Sequence, residues 1–171
     1  MIIRRANRAD LDALDSLFSE ARSTIASLGI DQWQNGYPSP SVIGEDIDKG
    51  RAYVVEIDGN IAATFALIAD GEATYDRIYD GAWLTGDSDN YLAIHRVAIS
   101  VARRGSGLST AVLSYAADLA TKLGRTSLRI DTHRGNVVMR RMLERHGFVH
   151  CGSIYLESGD HRVAYEKVLT A

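Results

Sequence analysis

The sequence has little cysteine and no excess of basic residues. Its single cysteine, Cys151, excludes an internal disulfide and any metal centre built from several cysteines. It also fits a reducing compartment, so we predict a cytoplasmic location. Basic residues number 19 against 22 acidic ones, for a net charge of -3. Nucleic-acid-binding proteins usually show a basic excess, and we therefore expect no nucleic-acid partner.

Long hydrophobic runs are missing as well. No stretch approaches the roughly 18 consecutive apolar residues of a membrane span. The first residues, MIIRRANRADLDALDSL, carry charges from the fourth position, unlike a signal peptide. We expect a soluble protein that does not partner a membrane. The 171 residues, 46% of them hydrophobic, suit a single domain over 1–171 with a packed core.

The hydrophobic spacing predicts the element order β-α-α-β-β-β-α-β-α-β-β. Asn7, with Asp10 three residues later, is typical of a helix capping box. Asp58-Gly59 separates two β-rich runs and predicts a tight hairpin. Residues 70–90 are polar and predict a long excursion before the fourth strand. The predicted strands cover 2–5, two runs within 52–68, 91–100, 127–133, 148–157 and 162–169, and the helices cover 11–28, 41–48, 107–123 and 136–146.

The connection between the fourth and fifth strands is a helix. A strand-helix-strand unit predicts a parallel pair with a right-handed crossover. The other turns predict antiparallel neighbours. The expected fold class is therefore α/β, with a mixed sheet of the α+β kind.

The segment RRGSGLS, residues 103–109, is a turn of small residues between a strand and a helix. Backbone N–H groups at a helix N-terminus are unpaired and carry partial positive charge, which suits a phosphate group. Arg104 adds a charged donor. An ordinary turn stays open as an alternative. No Gly-Lys-Ser/Thr follows, which excludes a Walker loop, and the dinucleotide Gly-x-Gly-x-x-Gly spacing is absent.

The wider pattern resembles the acyl-CoA-binding motif of the GNAT superfamily of N-acetyltransferases. That motif, Arg/Gln-x-x-Gly-x-Gly/Ala after a strand, is matched by Arg104-x-x-Gly107-x-Ser109, and Ser109 is a departure at the last position. The segment NVVMRRMLERHGF, residues 136–148, resembles the family's fourth helix with its Asn and its Gly-Phe ending. The element order is also that of the family, so the resemblance implies a GNAT-like fold whose fourth and fifth strands splay apart.

By this resemblance the cosubstrate is acetyl-CoA. The backbones of Val97 and Ile99 bind its pantetheine arm in the manner of an added strand, the amides of residues 104–109 bind the pyrophosphate, and Asn136 contacts the cosubstrate near the arm. No metal site is expected. The implied cosubstrate-binding residues are Val97, Ala98, Ile99, Arg104, Gly105, Ser106, Gly107, Leu108, Ser109 and Asn136.

The resemblance implies direct attack by a primary amine of a small molecule or peptide on the thioester. Such an amine must lose a proton, and histidine is the usual base. His95 lies on the fourth strand, where aralkylamine acetyltransferases of this superfamily carry a histidine; a buried structural histidine is the alternative. Asp131 and His133 end the fifth strand and are candidates to orient the substrate or relay protons. An Arg129–Asp131 ion pair and a helix cap are the alternative for them.

One position departs from the family in a way that affects the chemistry. The family often has a tyrosine, its general acid, seven residues after the motif asparagine, and here that position is Leu143. Tyr155 or water are substitutes between which the sequence does not choose. A non-catalytic acyl-CoA sensor or regulatory module is therefore the alternative function. A domain for another nucleotide is a third, which the missing Walker lysine disfavours.

Aromatic residues concentrate in the two segments that line the acceptor pocket in this family, the loop after the first helix and the excursion. They are interpreted as walls for an amine-bearing ligand, including a cation–π site, or as residues that fix the loops to the core. Sheet edges in such folds often serve dimers, and a homodimer stays open. The aromatic residues are Trp33, Tyr37, Tyr75, Tyr79 and Trp83.

Overall fold

The computed structural model describes residues 1–170 and has the predicted element order. Its strands form a seven-stranded sheet in the order β1-β2-β3-β4-β5-β7-β6, in which β4 and β5 are parallel. The mixed α/β fold class is therefore confirmed. Among the described residues, no helix is long and apolar enough to cross a membrane. The elements are β1 Ile2–Arg5, α1 Leu11–Ser27, α2 Pro40–Asp48, β2 Ala52–Ile57, β3 Asn60–Ile68, β4 Tyr91–Ile99, α3 Leu108–Lys122, β5 Ser127–Thr132, α4 Val137–Arg145, β6 Val149–Tyr155 and β7 His161–Val168.

The capping box and the tight hairpin that the sequence predicts are both present. Asn7 and Asp10 form a reciprocal capping box, at a short 3₁₀ segment that leads into α1. Asp58 and Gly59 have φ of 51° and 78°. Two central residues with positive φ match the right-handed twist of the strands on either side, so the β2–β3 hairpin turns tightly at this dipeptide.

The chain divides into two compact units, and the first comprises residues 1–67 and 96–112. Its core forms where the apolar faces of α1 and α2 pack on side chains from β2 and β4. Ser39 caps α2 by accepting a hydrogen bond from the Val42 N–H group (3.3 Å). The main core residues are Leu14, Leu17, Phe18, Ile43, Ile47, Val54 and Ala98.

The second unit comprises residues 68–95 and those from 113 onward. Its core includes two aromatic residues of the excursion, Tyr75 and Trp83, which are 1% and 6% exposed. The Trp83 indole N–H donates to the Tyr75 carbonyl (3.0 Å). The excursion is therefore a packed part of this unit, with its own short 3₁₀ segment at Ala73–Tyr75.

The excursion also lies along the outer side of β6, which is the last strand of the sheet. Tyr79 and Ser153 exchange two backbone hydrogen bonds of 2.8 Å, and the Ala82 N–H donates to the Cys151 carbonyl (3.0 Å). Gly81 is needed here because a Cβ atom at this position would lie 1.9 Å from the Cys151 carbonyl oxygen. Only a residue without a side chain permits so close an approach of the two backbones.

Candidate active site

A turn of small residues joins β4 to α3 in the first unit. It consists of the 3₁₀ segment Val101–Arg103 followed by exposed residues 104–107. Gly105 and Gly107 have φ of 76° and 82°, a conformation that glycine adopts without steric cost. A Cβ atom at either position would have nothing within 4 Å. The backbone conformation, and not a lack of space, therefore requires these glycines.

The start of α3 presents unpaired amides beside this turn. The first helical hydrogen bond joins the Ala111 N–H to the Gly107 carbonyl (3.1 Å). The N–H groups of Leu108 and Ser109 precede it and have no acceptor within the helix. Because the helix end also carries partial positive charge, this corner suits an anion such as a diphosphate.

Two other amides of the turn are used inside it. The N–H groups of Arg104 and Ser106 donate to the carbonyls of Val101 and Arg103, both at 3.3 Å. The Ser106 hydroxyl donates to the Arg103 carbonyl as well. The start of α3 is therefore better placed to bind a phosphate through its amides than these two residues are, although the Arg104 side chain is exposed and accessible.

The end of β4 leads into this turn. Ala98 is 3% exposed and belongs to the core of the first unit. Val97 and Ile99, which point to the opposite face by strand alternation, are half-buried. The Ser100 N–H donates to the Ala62 carbonyl of β3 (2.9 Å), which fixes the position where the strand ends.

In the second unit, His95 on β4 lies against a carboxylate of the excursion. Its Nε2 atom is 3.0 Å from Glu72 Oε2, and the two side chains are 15% and 24% exposed. The two atoms are close, but their angles are not those of a hydrogen bond. The contact with His95 lowers the pKa of Glu72 to about 2, against the opposing effect of burial. Glu72 is therefore an anion at any pH at which the protein would work.

Tyr75 connects His95 to Asp131. Its ring centroid lies 5.7 Å from that of His95, and its hydroxyl donates to Asp131 Oδ2 (2.6 Å). Burial, and after it the Asp131 carboxylate, raise the pKa of Tyr75 well above the ordinary value. The hydroxyl therefore keeps its proton. The structure thus brings two of the three predicted catalytic residues, His95 and Asp131, to the same tyrosine.

The remaining predicted site residues of this unit lie at the start of α4. His133 accepts a hydrogen bond at Nδ1 from the Gly135 N–H (2.9 Å), a contact within the turn that follows β5. Asn136 caps the helix, because its side-chain oxygen accepts from the Met139 N–H (3.2 Å). Both contacts stabilise the local backbone, but the residue that caps α4 is Asn136 and not His133.

The alternative of an Arg129–Asp131 ion pair is wrong. Arg129 Nε instead donates to Glu166 Oε1 (3.1 Å), and the two side chains are 2% and 0% exposed. The register explains this, because Arg129 lies directly opposite Glu166 on β7. Side chains directly opposite in adjacent strands lie closer than residues two apart on one strand. Asp131 is left to accept from the tyrosine of the excursion.

One aromatic residue of the excursion and one of β4 stack on this arginine. The Arg129 guanidinium carbon lies 4.2 Å from the ring centroid of Trp83 and 4.3 Å from that of Tyr91. A cation–π site is therefore present, but a cation of the protein itself occupies it. The interpretation as residues that fix the loop to the core fits Trp83 and Tyr75, whereas Tyr79 and Tyr37 are 37% and 40% exposed.

The chain matches the model of the acetyltransferase (GNAT) family over residues 14–148. The chain belongs to the GNAT family. The predicted resemblance is thereby confirmed, and it makes this chain an acetyltransferase-family protein, a class of acyltransferases.

Similar proteins share most of the length of this GNAT acetyltransferase. A GNAT-family acetyltransferase from Streptococcus agalactiae 2603, a crystal structure, is 38% identical, with a TM-score of 0.84, over 99% of this chain and 96% of that one. A Bacillus subtilis (strain 168) protein named uncharacterized N-acetyltransferase YesJ is 24% identical over 95% of this chain and 87% of its own length. A GNAT acetyltransferase from Listeria monocytogenes 4b F2365 shares the fold, with 20% identity, a TM-score of 0.73, and coverage of 98% and 94%.

Leu143 of this GNAT protein is fully buried, at 0% exposure. It is a core residue of α4 and offers no hydroxyl. Tyr155, a substitute acid suggested by the sequence, is 44% exposed, and its ring makes edge contacts with Tyr79 and His161. These contacts do not select it for a role in proton transfer.

Sequence reasoning missed Glu72 and Glu166, the carboxylates that contact His95 and Arg129. Glu72 is 23 positions from its partner and Glu166 is 37 positions from its own, so no local pattern connects them. The sequence singled out other acids of the excursion, Asp76, Asp80 and Asp87, and these are exposed. Within residues 1–170, no three His, Cys, Asp or Glu side chains are grouped to bind a metal ion.

The lowered pKa of Glu72 predicts a contribution to stability that disappears in acid. Its pKa is 4.5 without these contacts and about 2 in the folded protein. A carboxylate whose pKa is lower in the folded protein than in the unfolded chain stabilises the folded protein at pH values above the unfolded pKa. This contribution is lost as the pH falls from about 4.5 toward 2. We expect Glu72→Gln to lower the free energy of unfolding by about 2–3 kcal/mol at pH 5–6 and by almost nothing at pH 2. Urea unfolding at a series of pH values measures this difference.

Asp76→Asn is the matched control, since Asp76 is an exposed carboxylate of the same excursion. Its effect should be small at every pH. A Glu72→Gln effect that stays constant from pH 6 to pH 2 would contradict the assignment.

Proposed function

We propose that this protein is an N-acetyltransferase that transfers the acetyl group of acetyl-CoA to a primary amine of a small molecule or peptide. The observation that carries the proposal is the turn at Gly105 and Gly107, whose exposed residues 104–107 lead directly into the first amides of α3, those of Leu108 and Ser109, in a chain of the GNAT family. Acetyl-CoA would supply a thioester whose carbonyl carbon the amine attacks, so that a C–N bond forms as the C–S bond breaks.

The first unit would bind the coenzyme. The amides of Leu108 and Ser109 would donate to the diphosphate, and the exposed Arg104 side chain would add a charged donor. The backbones of Val97 and Ile99 would bind the pantetheine arm. In the second unit, Asn136 would contact the cosubstrate through the part of its side chain that the α4 cap does not use.

His95 would accept the proton that the attacking ammonium loses. The ionised Glu72 carboxylate beside Nε2 favours the tautomer with its proton on that nitrogen, which leaves Nδ1 basic. The same carboxylate stabilises the imidazolium that forms after proton transfer. Asp131, held by the Tyr75 hydroxyl, would orient the substrate. We propose that His133 also orients the substrate; its Nδ1 atom accepts a hydrogen bond from the Gly135 N–H, which stabilises the turn after β5.

The leaving group does not need a protein acid. The thiol of CoA has a pKa near 8.5, so the thiolate leaves well and takes a proton from water. Tyr75 is unsuited to this step, since its hydroxyl already donates to Asp131 and its pKa is raised. The buried Leu143 is compatible with this chemistry.

Thiol release from acetyl-CoA over a panel of primary amines tests the proposal. Release that depends on the amine and yields the acetylated amine by mass spectrometry would support it. Tight CoA binding without release over the whole panel would favour the sensor or regulatory module. Stabilisation by ATP or NAD but not by CoA in a thermal-shift screen would contradict the proposed cosubstrate.

The pH dependence of a His95→Ala variant tests the proposed base. We expect the rate at pH 7 to fall by about 100-fold, with recovery toward pH 10, where a lysine-like amine of pKa near 10.4 is largely free base. The measurement is the pH profile of kcat/KM for the amine. His150→Ala is the control, because His150 is exposed on β6 and its profile should match the wild type. An unchanged profile for His95→Ala would remove His95 as the base.

We propose that residues 1–171 act as one N-acetyltransferase domain and that the protein is cytoplasmic. Light scattering at several protein concentrations would show whether two copies form a homodimer.

A further inference from the structure

One residue of β4 has a left-handed backbone. Arg96 has a φ of 51° inside the strand. The other non-glycine residues with positive φ among residues 1–170 lie in turns and bends between elements. For a residue with a Cβ atom this conformation costs about 1–2 kcal/mol. It persists only where the surrounding structure imposes it.

The Arg96 side chain is bound by a buried carboxylate of α2. Nε donates to Asp46 Oδ2 (2.6 Å) and Nη2 donates to Asp46 Oδ1 (2.9 Å). The two side chains are only 14% and 8% exposed. A two-bond fork of this kind fixes the plane of the guanidinium as well as its position, so α2 determines where this side chain lies.

A third contact connects Arg96 to the loop between α1 and α2. Nη1 donates to the Tyr37 hydroxyl (3.0 Å). The next residue of that loop is bound to α1, since Arg22 donates to the Pro38 carbonyl (3.2 Å). The Arg96 clamp, which we define as Arg96, Asp46 and Tyr37, therefore joins β4, α2 and this loop within the first unit.

We propose that Arg96 is a positioning residue for acyl transfer, whose Asp46-bound side chain fixes the left-handed turn of β4. The inference rests on the proposed function, in which His95 is the base and the Val97 backbone binds the coenzyme arm. Arg96 lies between these two residues in the chain. Because the peptide groups on either side of it are planar, its φ and ψ set the angle between them. The clamp would thereby set the direction in which the Val97 backbone is presented to the coenzyme arm.

Three variants separate the side chain from the backbone. Arg96→Ala removes the clamp and keeps the steric cost of the left-handed turn. Arg96→Gly also removes the clamp but permits the turn at no steric cost. Asp46→Asn weakens the fork and keeps Arg96. We expect turnover per bound acetyl-CoA to fall by about 10- to 100-fold in Arg96→Ala and Asp46→Asn, and by less in Arg96→Gly.

Asp48→Asn is the matched control. Asp48 lies on the same helix and also accepts two bonds from an arginine, Arg8, but this pair is exposed. Its turnover should stay within about two-fold of the wild type. Turnover is divided by the amount of protein that binds CoA, which removes any effect of a partly unfolded sample. Should Arg96→Ala not fold, Arg96→Lys replaces it with the same expected loss, because lysine cannot form the fork.

Amide hydrogen exchange gives a readout that needs no activity. Exchange at residues 95–99 should become faster in Arg96→Ala and Asp46→Asn and stay unchanged in Asp48→Asn. Wild-type protein that releases no thiol would count against the proposed function alone, and exchange would still decide on the clamp. Equal exchange in all variants, or equal turnover in Arg96→Ala, Arg96→Gly and wild type, would overturn the inference.

Discussion

Gly107→Glu will weaken CoA binding by at least about 1,000-fold, or about 4 kcal/mol. A carboxylate at this position competes with the diphosphate for the amides of Leu108 and Ser109 and repels it. Charge-assisted hydrogen bonds contribute about 1.5–3 kcal/mol each, so the loss of two accounts for the expected effect. Calorimetric titration with CoA measures it. Near wild-type affinity in a folded Gly107→Glu protein would show that this corner does not bind the coenzyme.

The positive φ of Gly107 dictates the controls. Any side chain there costs about 1–2 kcal/mol of backbone strain, so the variant is expected to fold but with lower stability. Gly107→Ala carries the strain without bulk or charge, and Gly107→Gln adds bulk without charge. Affinity should fall in the order wild type, Ala, Gln, Glu. Equal affinities for Gln and Glu would mean that charge has no part in the effect.

Arg129→Ala will lower the free energy of unfolding by about 3–5 kcal/mol. The substitution leaves Glu166 buried at 0% exposure without its cation, and it removes the stacking on Trp83 and Tyr91. Burial by itself would raise the pKa of Glu166, but hydrogen bonds from Ser127, Thr85 and Arg129 lower it. Because its pKa is lowered overall, the Glu166 carboxylate is ionised at pH 7 and needs a cationic partner in its buried position. Urea unfolding at pH 7 measures the loss.

A second substitution tests this explanation. Glu166→Gln removes the charge and keeps an oxygen for the hydroxyls of Ser127 and Thr85, which lie 2.6 Å from Oε1. The double variant Arg129→Met with Glu166→Gln should be more stable than Arg129→Met alone. Arg8→Ala, at an exposed ion pair, should destabilise the protein much less than Arg129→Ala does. A loss for Arg129→Ala no larger than that of Arg8→Ala would contradict a structural role for the buried pair.

The sequence predicts best those features that depend on neighbours in the chain. Asn7 with Asp10 predicted a capping box, and Asp58-Gly59 predicted a tight hairpin. Each depends on a few successive backbone angles and short-range bonds. The glycines of the turn before α3 belong to the same class, because their positive φ is a local property. The helical periodicity and the order of the elements then led to the fold.

The sequence predicts poorly those contacts that the sheet and the excursion create. Arg129 and Asp131 do share a face of β5, but Arg129 pairs with Glu166, which lies directly opposite it on the neighbouring strand β7. Glu72 reaches His95 from a segment with no regular pattern. The position of Asp46 in the sequence does indicate a buried carboxylate, because Asp46 lies on the apolar face of α2 between Ile43 and Ile47. A charged residue at such a position is rarely buried without a partner.

Residues 79–82 of the excursion, which lie along β6, limit self-association at this edge of the sheet. They already satisfy the outward carbonyl groups of Cys151 and Ser153, much as a neighbouring strand would. A second copy, or an extended peptide, that sought to lengthen the sheet at this margin would have to displace them and break their hydrogen bonds. The excursion thus protects this edge of the sheet against edge-to-edge aggregation, and Gly81 permits the close approach that this protection requires.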